Sequence, residues 1–219
     1  DICCPPAFHA EYLCRALDDH IPALCEKPVV TSPAELRLVL RSVDTTNAFL
    51  FPCHNYKYAP AVVFMRDVIG NPEFGSVVSG HLRTYRSGHA VGVPEWNPHW
   101  RRDLRISGGG IIQDHGWHST YVAMNLLGRP PVAVSCLAGT FGPKGFQHTE
   151  DTALMTLHFD HDVRVLIELS WSASFRETTY LVVGTNQSVF VNGDRVVHVK
   201  ARGNGLAEQT ENCHVRSEF

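Results

Sequence analysis

The hydrophobic pattern changes period part-way along the 219 residues, and that change constrains the fold more than any other feature of the chain. A short apolar run, Ile2-Cys3-Cys4, is stopped by Pro5-Pro6; residues 7–17 then carry apolar side chains at helical spacing, and residues 21–25 form a second apolar run. Strand, helix and strand in so little chain make a βαβ unit, whose strands run parallel through a right-handed crossover. Ser32, Pro33 and Glu35 predict the next helix, with a capping box and proline at its first position, ahead of Leu36, Val39 and Leu40. Residues 48–52 read as a further strand. Residues 1–56 are therefore expected to be the later half of a doubly wound nucleotide-binding sheet. After a helix over 59–69, closed by Gly70-Asn71-Pro72, the character changes. Segments 77–86, 132–140, 152–159, 163–171, 178–183 and 188–191 read as strands, and in several of them polar and apolar residues partly alternate. That is the mark of an antiparallel sheet with one covered face. The expected fold class is α/β plus α+β: the C-terminal part of a Rossmann-type domain over 1–56, then an open, mainly antiparallel sheet with helices on one face over 57–219. The polar tail, 201–211, reads as an exposed loop.

The strongest chemical signal is Ser107-Gly-Gly-Gly-Ile-Ile-Gln-Asp114-His-Gly-Trp-His118. Residues 111–127 read as the one long helix of the second unit, stopped by Gly128 and Pro130. Positions four apart lie on one helix face, so Asp114 and His118 are expected to point into the same space. There a carboxylate can raise an imidazole's basicity and fix its tautomer. The same pair can equally be a capping acid and a helix-face histidine. Gly108, Gly109 and Gly110 suit a turn where backbone approaches a ligand or another segment closely. Residues 87–107, rich in Gly, Pro, Trp, His and Arg, read as a functional lid or a disordered loop.

Bulk properties exclude several function classes. A formal net charge of -3 and a pI near 6.5 give no field that would attract nucleic acid or an anionic membrane. No run of about 18 apolar residues is present to span a bilayer. The seven cysteines lack paired metal spacing and read as reduced core thiols of a cytosolic protein. The opening Asp1-Ile-Cys-Cys reads as the middle of a strand, so the chain is expected to be a fragment, truncated at both ends.

Cys4-Pro5-Pro6 with His9, then Cys25-Glu26-Lys27-Pro28, His54-Asn55-Tyr56-Lys57 with Pro60, Gly108-Gly-Gly-x-x-x-Asp114-x-Gly116-x-His118, Glu150-Asp151 and Ser170-Trp171 follow one another along most of the chain. This ordered set resembles the glucose-fructose oxidoreductase, inositol dehydrogenase and rhizopine catabolism family (Gfo/Idh/MocA). The resemblance implies an NAD(P)-dependent dehydrogenase, with Lys27, Asp114 and His118 as the catalytic group. It implies that Cys4, Pro5, Pro6, His9, Glu26, Lys27 and Asn55 line the nicotinamide half of the cofactor site. Cys4 stands where members usually have threonine, so a hydroxyl contact is lost there. A Lys27-Pro28 bond in the cis form is compatible with the chain, since only bonds before proline adopt it at low cost. The glycine-rich phosphate loop of a dinucleotide fold is missing, and Gly139-x-x-Gly142-x-x-Gly145 has the wrong spacing for it. The 219 residues by themselves are therefore expected to bind NAD or NADP poorly.

Oxidising a secondary alcohol needs a base near the oxygen and a cation for the developing charge. On this reading His118 takes the proton, Asp114 orients it and Lys27 stabilises the oxyanion. The resemblance implies sugars, polyols or related cyclic alcohols as substrates. Lys27, Arg86, Trp100, Asp114, His118 and Trp171 are the expected contacts, and His89, Trp96 and Arg101 further candidates, because tryptophan stacks on sugar faces and arginine grips carboxylates. Thirteen histidines keep a second class open, a metal-dependent hydrolase or isomerase using Asp114, His115 and His118. A third is a non-catalytic member acting in association. The resemblance implies a homo-oligomer through the open sheet, with Leu166, Ile167, Leu169 and Trp171 as candidate contact residues.

Overall fold

The computed structural model describes residues 1–95, 97–142, 148–193, 195–202 and 205–211, with side chains described as far as Val199; Trp96 and Gly145 lie outside the described residues. The first unit is a small parallel sheet. Strand β1 (Ala23–Cys25) pairs in parallel with β2 (Leu50–Pro52), and Ile2 bridges Cys25 on the other side, also in parallel. Helix α1 (His9–Asp18) and helix α2 (Pro33–Thr46) cover it. The capping box forms as expected. The Glu35 amide donates to Ser32 Oγ at 3.2 Å, and the Glu35 carboxylate accepts from the Ser32 amide at 3.1 Å. Leu13, Leu17, Ala23, Cys25, Val29, Val30 and Val39 close the core of this unit.

After helix α3 (Pro60–Ile69) comes an eight-stranded sheet. Its strands are β3 (Val77–Tyr85), β4 (Ala133–Gly139), β5 (Thr152–His158), β6 (Arg164–Ser170), β7 (Glu177–Gly184), β8 (Gln187–Asn192), β9 (Arg195–Arg202) and β10 (Gly205–Glu211), in the spatial order β10-β9-β8-β7-β3-β6-β5-β4. Every pairing is antiparallel except β3 with β6. The tail expected as a loop instead supplies the end of β9 and strand β10, where backbone pairing of β10 to β9, itself paired to β8, organises a largely polar sequence.

One face of the sheet is packed under α3 and α5 (Trp117–Leu127), around Met65, Phe74, Leu82, Ile111, Val122 and Trp171. The other face is open. Ile167, Leu169 and Trp171, expected as candidates for association, belong to the covered face and are at most 1% exposed. Of that set only Leu166 lies on the open face, because successive side chains alternate across a strand. A row on the same face runs Leu137, Leu154, Glu168, Arg83 and Thr179, by strand register. The cysteines also depart from expectation. Those described are all free, but only Cys25 is buried, and burial pushes its thiol up to about 12. Among the described residues no helix is long and apolar enough to cross a membrane.

Candidate active site

The Gly108–Gly110 turn delivers the chemistry. Gly108 has φ +75°, a conformation that glycine adopts without strain. Gly110 lies so close to Glu150 that a Cβ would sit 1.8 Å from the Glu150 carbonyl oxygen. The Glu150 carboxylate accepts from the Gly110 and Ile112 amides at 3.0 Å, which caps the turn that follows. That turn departs from the expected helix. Residues Ile112–Gly116 form a π-helical turn, and only at Trp117 does α5 begin. Wide turns of this kind shift side chains off the α spacing and recur at functional sites.

Asp114 and His118 consequently do not pair. Asp114 Oδ1 accepts from Lys27 Nζ at 2.6 Å, and the Asp114 carbonyl accepts from the same ammonium at 2.9 Å. Arg101 Nε stands 3.5 Å from Asp114 Oδ2 and its guanidinium lies over the Trp100 ring at 4.1 Å. Burial alone would raise the Asp114 pKa; Lys27, then His115 and Arg101, reverse this and hold the carboxyl well below the usual range. His118 turns to other partners. Its Nδ1 lies 2.6 Å from the Tyr121 hydroxyl, and its ring stacks on Tyr56 with centroids 3.8 Å apart. The expected rise in basicity is reversed: burial first, then Lys27 and His115, push His118 down to about 2, and Asp114 offsets this only in part. His115 is likewise pushed down, to about 4, by burial.

Lys27, Asp114, Cys4, Pro6, Glu26, Trp100 and Trp171 meet at one cleft. Gln113 and Arg101 are also in its wall, and its volume is about 160 Å³, smaller than the roughly 300–1,000 Å³ usual for drug-sized ligands. The cleft opens just beyond Ile2 and Cys25, at the carboxyl ends of the parallel strands, where open α/β sheets bind their ligands. The Lys27-Pro28 bond at its edge is cis. His118 is 5% exposed and sits behind this wall, close enough for the Lys27 charge to act on it. Tyr121 and Tyr56 hold it; the sequence motif gives Tyr56 no role, and Tyr121, an aromatic at helical spacing, reads from sequence as core.

Besides His118, four expected contacts fall elsewhere. Arg86 is buried and bolts β3 to β7, donating to the carbonyls of Tyr85 and Glu177 and to Thr178 Oγ1 at 2.7–2.9 Å, so its fork is not free to grip a substrate. Pro5 lies off the wall. Asn55 also lies off it, with its Oδ1 3.4 Å from the Tyr121 hydroxyl. His9 is fully buried and its two ring nitrogens lie 2.7 Å from the carbonyls of Cys4 and Pro28, tying together the two loops that border the cleft. Replacing it, as His9→Phe, leaves both carbonyls without that partner. An equilibrium urea titration is expected to show a loss of about 2 kcal/mol; an unchanged midpoint would mean the clamp is idle.

The metal alternative fits poorly. Asp114 is occupied by two cations, the His115 and His118 rings are 6.3 Å apart, and the described residues contain no group of three or more side chains placed to hold a metal. Within the segment expected as a lid or a disordered loop, the described residues include a 3-10 turn, Trp100–Arg102, and the short helix α4 (Leu104–Ser107), which bring Trp100, Arg101 and Ser107 to the cleft.

Residues 62–190 match the family model described as the GFO/IDH/MocA C-terminal domain, and residues 1–54 match the one described as the oxidoreductase family, NAD-binding Rossmann fold. The chain belongs to the GFO/IDH/MocA family of oxidoreductases. It is 26% identical over 196 residues to D-glucoside 3-dehydrogenase of Escherichia coli K12, covering 83% of this chain and 54% of that protein. With levoglucosan dehydrogenase of Pseudarthrobacter phenanthrenivorans it shares 25% identity over 217 residues, covering 89% of this chain and 55% of that protein. A solved structure of levoglucosan dehydrogenase in complex with NADH aligns with a TM-score of 0.83 at 22% identity, covering 97% of this chain and 60% of the other, a likeness of fold. The chain spans about half the length of the curated relatives it matches.

Proposed function

We propose that the protein carrying this chain is an NAD(P)-dependent dehydrogenase acting on a secondary hydroxyl of a sugar, polyol or related cyclic alcohol. The observation that carries this reading is the Lys27–Asp114 pair, 2.6 Å apart in a cleft at the carboxyl ends of parallel strands. Family membership and the named activities of the relatives support it. Cys4, Pro6, Glu26 and Lys27 fit the nicotinamide end of a cofactor, being the segments that leave Ile2 and β1 at that edge. A nicotinamide bound there supplies the hydride acceptor.

The side chains then divide the work. Lys27 Nζ donates to the reacting oxygen and stabilises charge as it develops, and Asp114 holds the ammonium in place. The Tyr121 hydroxyl takes up His118 Nδ1, so Nε2 is the nitrogen left to exchange a proton with the alcohol, although the ring is 5% exposed behind the cleft wall. Trp100 gives the cleft an apolar wall suited to a sugar face, whereas Trp171, 1% exposed, offers a substrate little surface. Residues 1–56 form the cofactor-holding unit and 57–219 the substrate and association unit. Subunits associate through the open sheet face, where Leu137 and Leu154 are 74% and 44% exposed. We place the protein in the cytosol, consistent with its free cysteines.

The test is NAD(P) reduction by the gene product that carries this chain, screened against sugars and polyols. Lys27→Ala and His118→Ala are expected to lower turnover about 100-fold or more. Unchanged turnover in both overturns the assignment.

A further inference from the structure

We infer that Tyr121 decides which nitrogen of His118 carries the proton, and that in the resting protein the proton sits on Nε2. The inference rests on His118 as a working group of the proposed dehydrogenase site and adds to it a positioning residue. Tyr121 has one hydroxyl proton and three neighbours. The Tyr56 amide donates to its oxygen at 3.0 Å, His118 Nδ1 lies at 2.6 Å and Asn55 Oδ1 at 3.4 Å. Because the Tyr56 amide can only donate, the hydroxyl proton goes to His118 or to Asn55. A separation of 3.4 Å is beyond the usual O–H···O range of about 2.5–3.0 Å, whereas 2.6 Å is a short, strong contact. Turning the Asn55 amide over would present an N–H to the hydroxyl oxygen, and this too would send the proton to His118. A neutral imidazole that accepts at Nδ1 carries its hydrogen at Nε2.

The surroundings make tautomer, rather than charge, the variable. The His118 ring is clamped under Tyr56, and Tyr121 is itself stacked on His54 with centroids 4.4 Å apart. Lys27, His115, Asp114 and His54 are the titratable groups that act on the ring; the low pKa that burial and Lys27 impose keeps it neutral across the physiological range. In the resting form His118 therefore meets a substrate oxygen as a hydrogen-bond donor. It becomes a proton acceptor at Nε2 only when the Tyr121 hydroxyl swings to Asn55 and accepts from a protonated Nδ1 instead. In that exchange one proton leaves Nε2 to water, one is taken up at Nδ1, and Tyr121 keeps its own. Asn55 is thus the alternative acceptor that makes the base form available.

The decisive measurement is the imidazole nitrogen spectrum of nitrogen-15-labelled protein without cofactor or substrate, with the His118 signals identified by their loss in His118→Gln. The expected pattern is an unprotonated Nδ1 and a protonated Nε2. A protonated Nδ1 overturns the inference. In Tyr121→Phe the two nitrogens are expected to move toward the averaged shifts of a ring exchanging between tautomers; an unchanged pattern also overturns it. Should that variant not fold, the unsubstituted protein's spectrum decides alone. Neither reading needs turnover, so a missing dehydrogenase activity would remove the proposed function while leaving the tautomer result intact.

Discussion

Lys27→Ala is expected to lower turnover by roughly 100- to 10,000-fold, the range for losing a group that stabilises charge or handles a proton in the transition state. It is also expected to destabilise the fold. The side chains of Lys27 and Asp114 are 13% and 15% exposed, so removing the ammonium leaves a largely buried carboxylate without its closest partner. Breaking such a pair from one side costs about 3 kcal/mol. A double replacement separates the two effects. Adding Asp114→Asn removes the stranded charge, so urea titrations are expected to recover part of the lost stability while turnover stays low. The pair also sets a pH dependence. The folded pKa of Asp114 lies below its unfolded value of about 3.9, so its contribution is complete above that pH and is lost as pH falls through the folded value. The stability gap between the unsubstituted protein and Lys27→Ala is therefore expected to be widest above about pH 4 and to narrow in stronger acid. A gap independent of pH would show that Asp114 is held by something other than the lysine.

The second large effect is expected at a residue with no chemistry of its own. Gly110→Ala places a methyl group 1.8 Å from the Glu150 carbonyl oxygen and 2.8 Å from its backbone carbon and nitrogen. All three are backbone atoms, and no side-chain rotation relieves the overlap. The same backbone accepts the Ile111 amide at 3.0 Å, so relief by separation breaks the bonds that start the π turn. Overpacking of this kind costs about 3 kcal/mol or more, and Asp114 moves with the turn that carries it. Gly88→Ala serves as the control, since nothing lies within 4 Å of a Cβ there; it is expected to change stability by less than about 0.5 kcal/mol. Equal midpoints for the two variants would contradict the close approach.

The fold was legible where its cause is local. The Ser32 and Glu35 capping box needs only residues three apart, and the strands β5 and β6 announce themselves by alternation. It was illegible where the cause is a neighbour. Strand β9 draws its order from pairing with β8 and β10 from pairing with β9, and the choice between the two faces of β6 depends on what α5 covers. The glycine run declared a close approach but could not name Glu150 as the partner.

The site shows the same division. Lys27 and Asp114, read from the sequence as candidates, do meet in the cleft, yet the sequence pairs Asp114 with His118, because a π turn has no clear sequence signature and its wider turn redirects Asp114 to Lys27. Arg86 and His9 look alike in sequence to ligand-binding residues. Only burial and the carbonyls around them reveal structural bolts.

Hydride transfer is tested most directly by isotope. The gene product that carries this chain is given oxidised NAD or NADP and a sugar or polyol deuterated at its carbinol carbons, and the nicotinamide is recovered for mass analysis. Deuterium appearing in the reduced nicotinamide in step with ketone formation is the expected result. Oxidised product without label in the nicotinamide, or no nicotinamide reduction with any member of the panel, would contradict it.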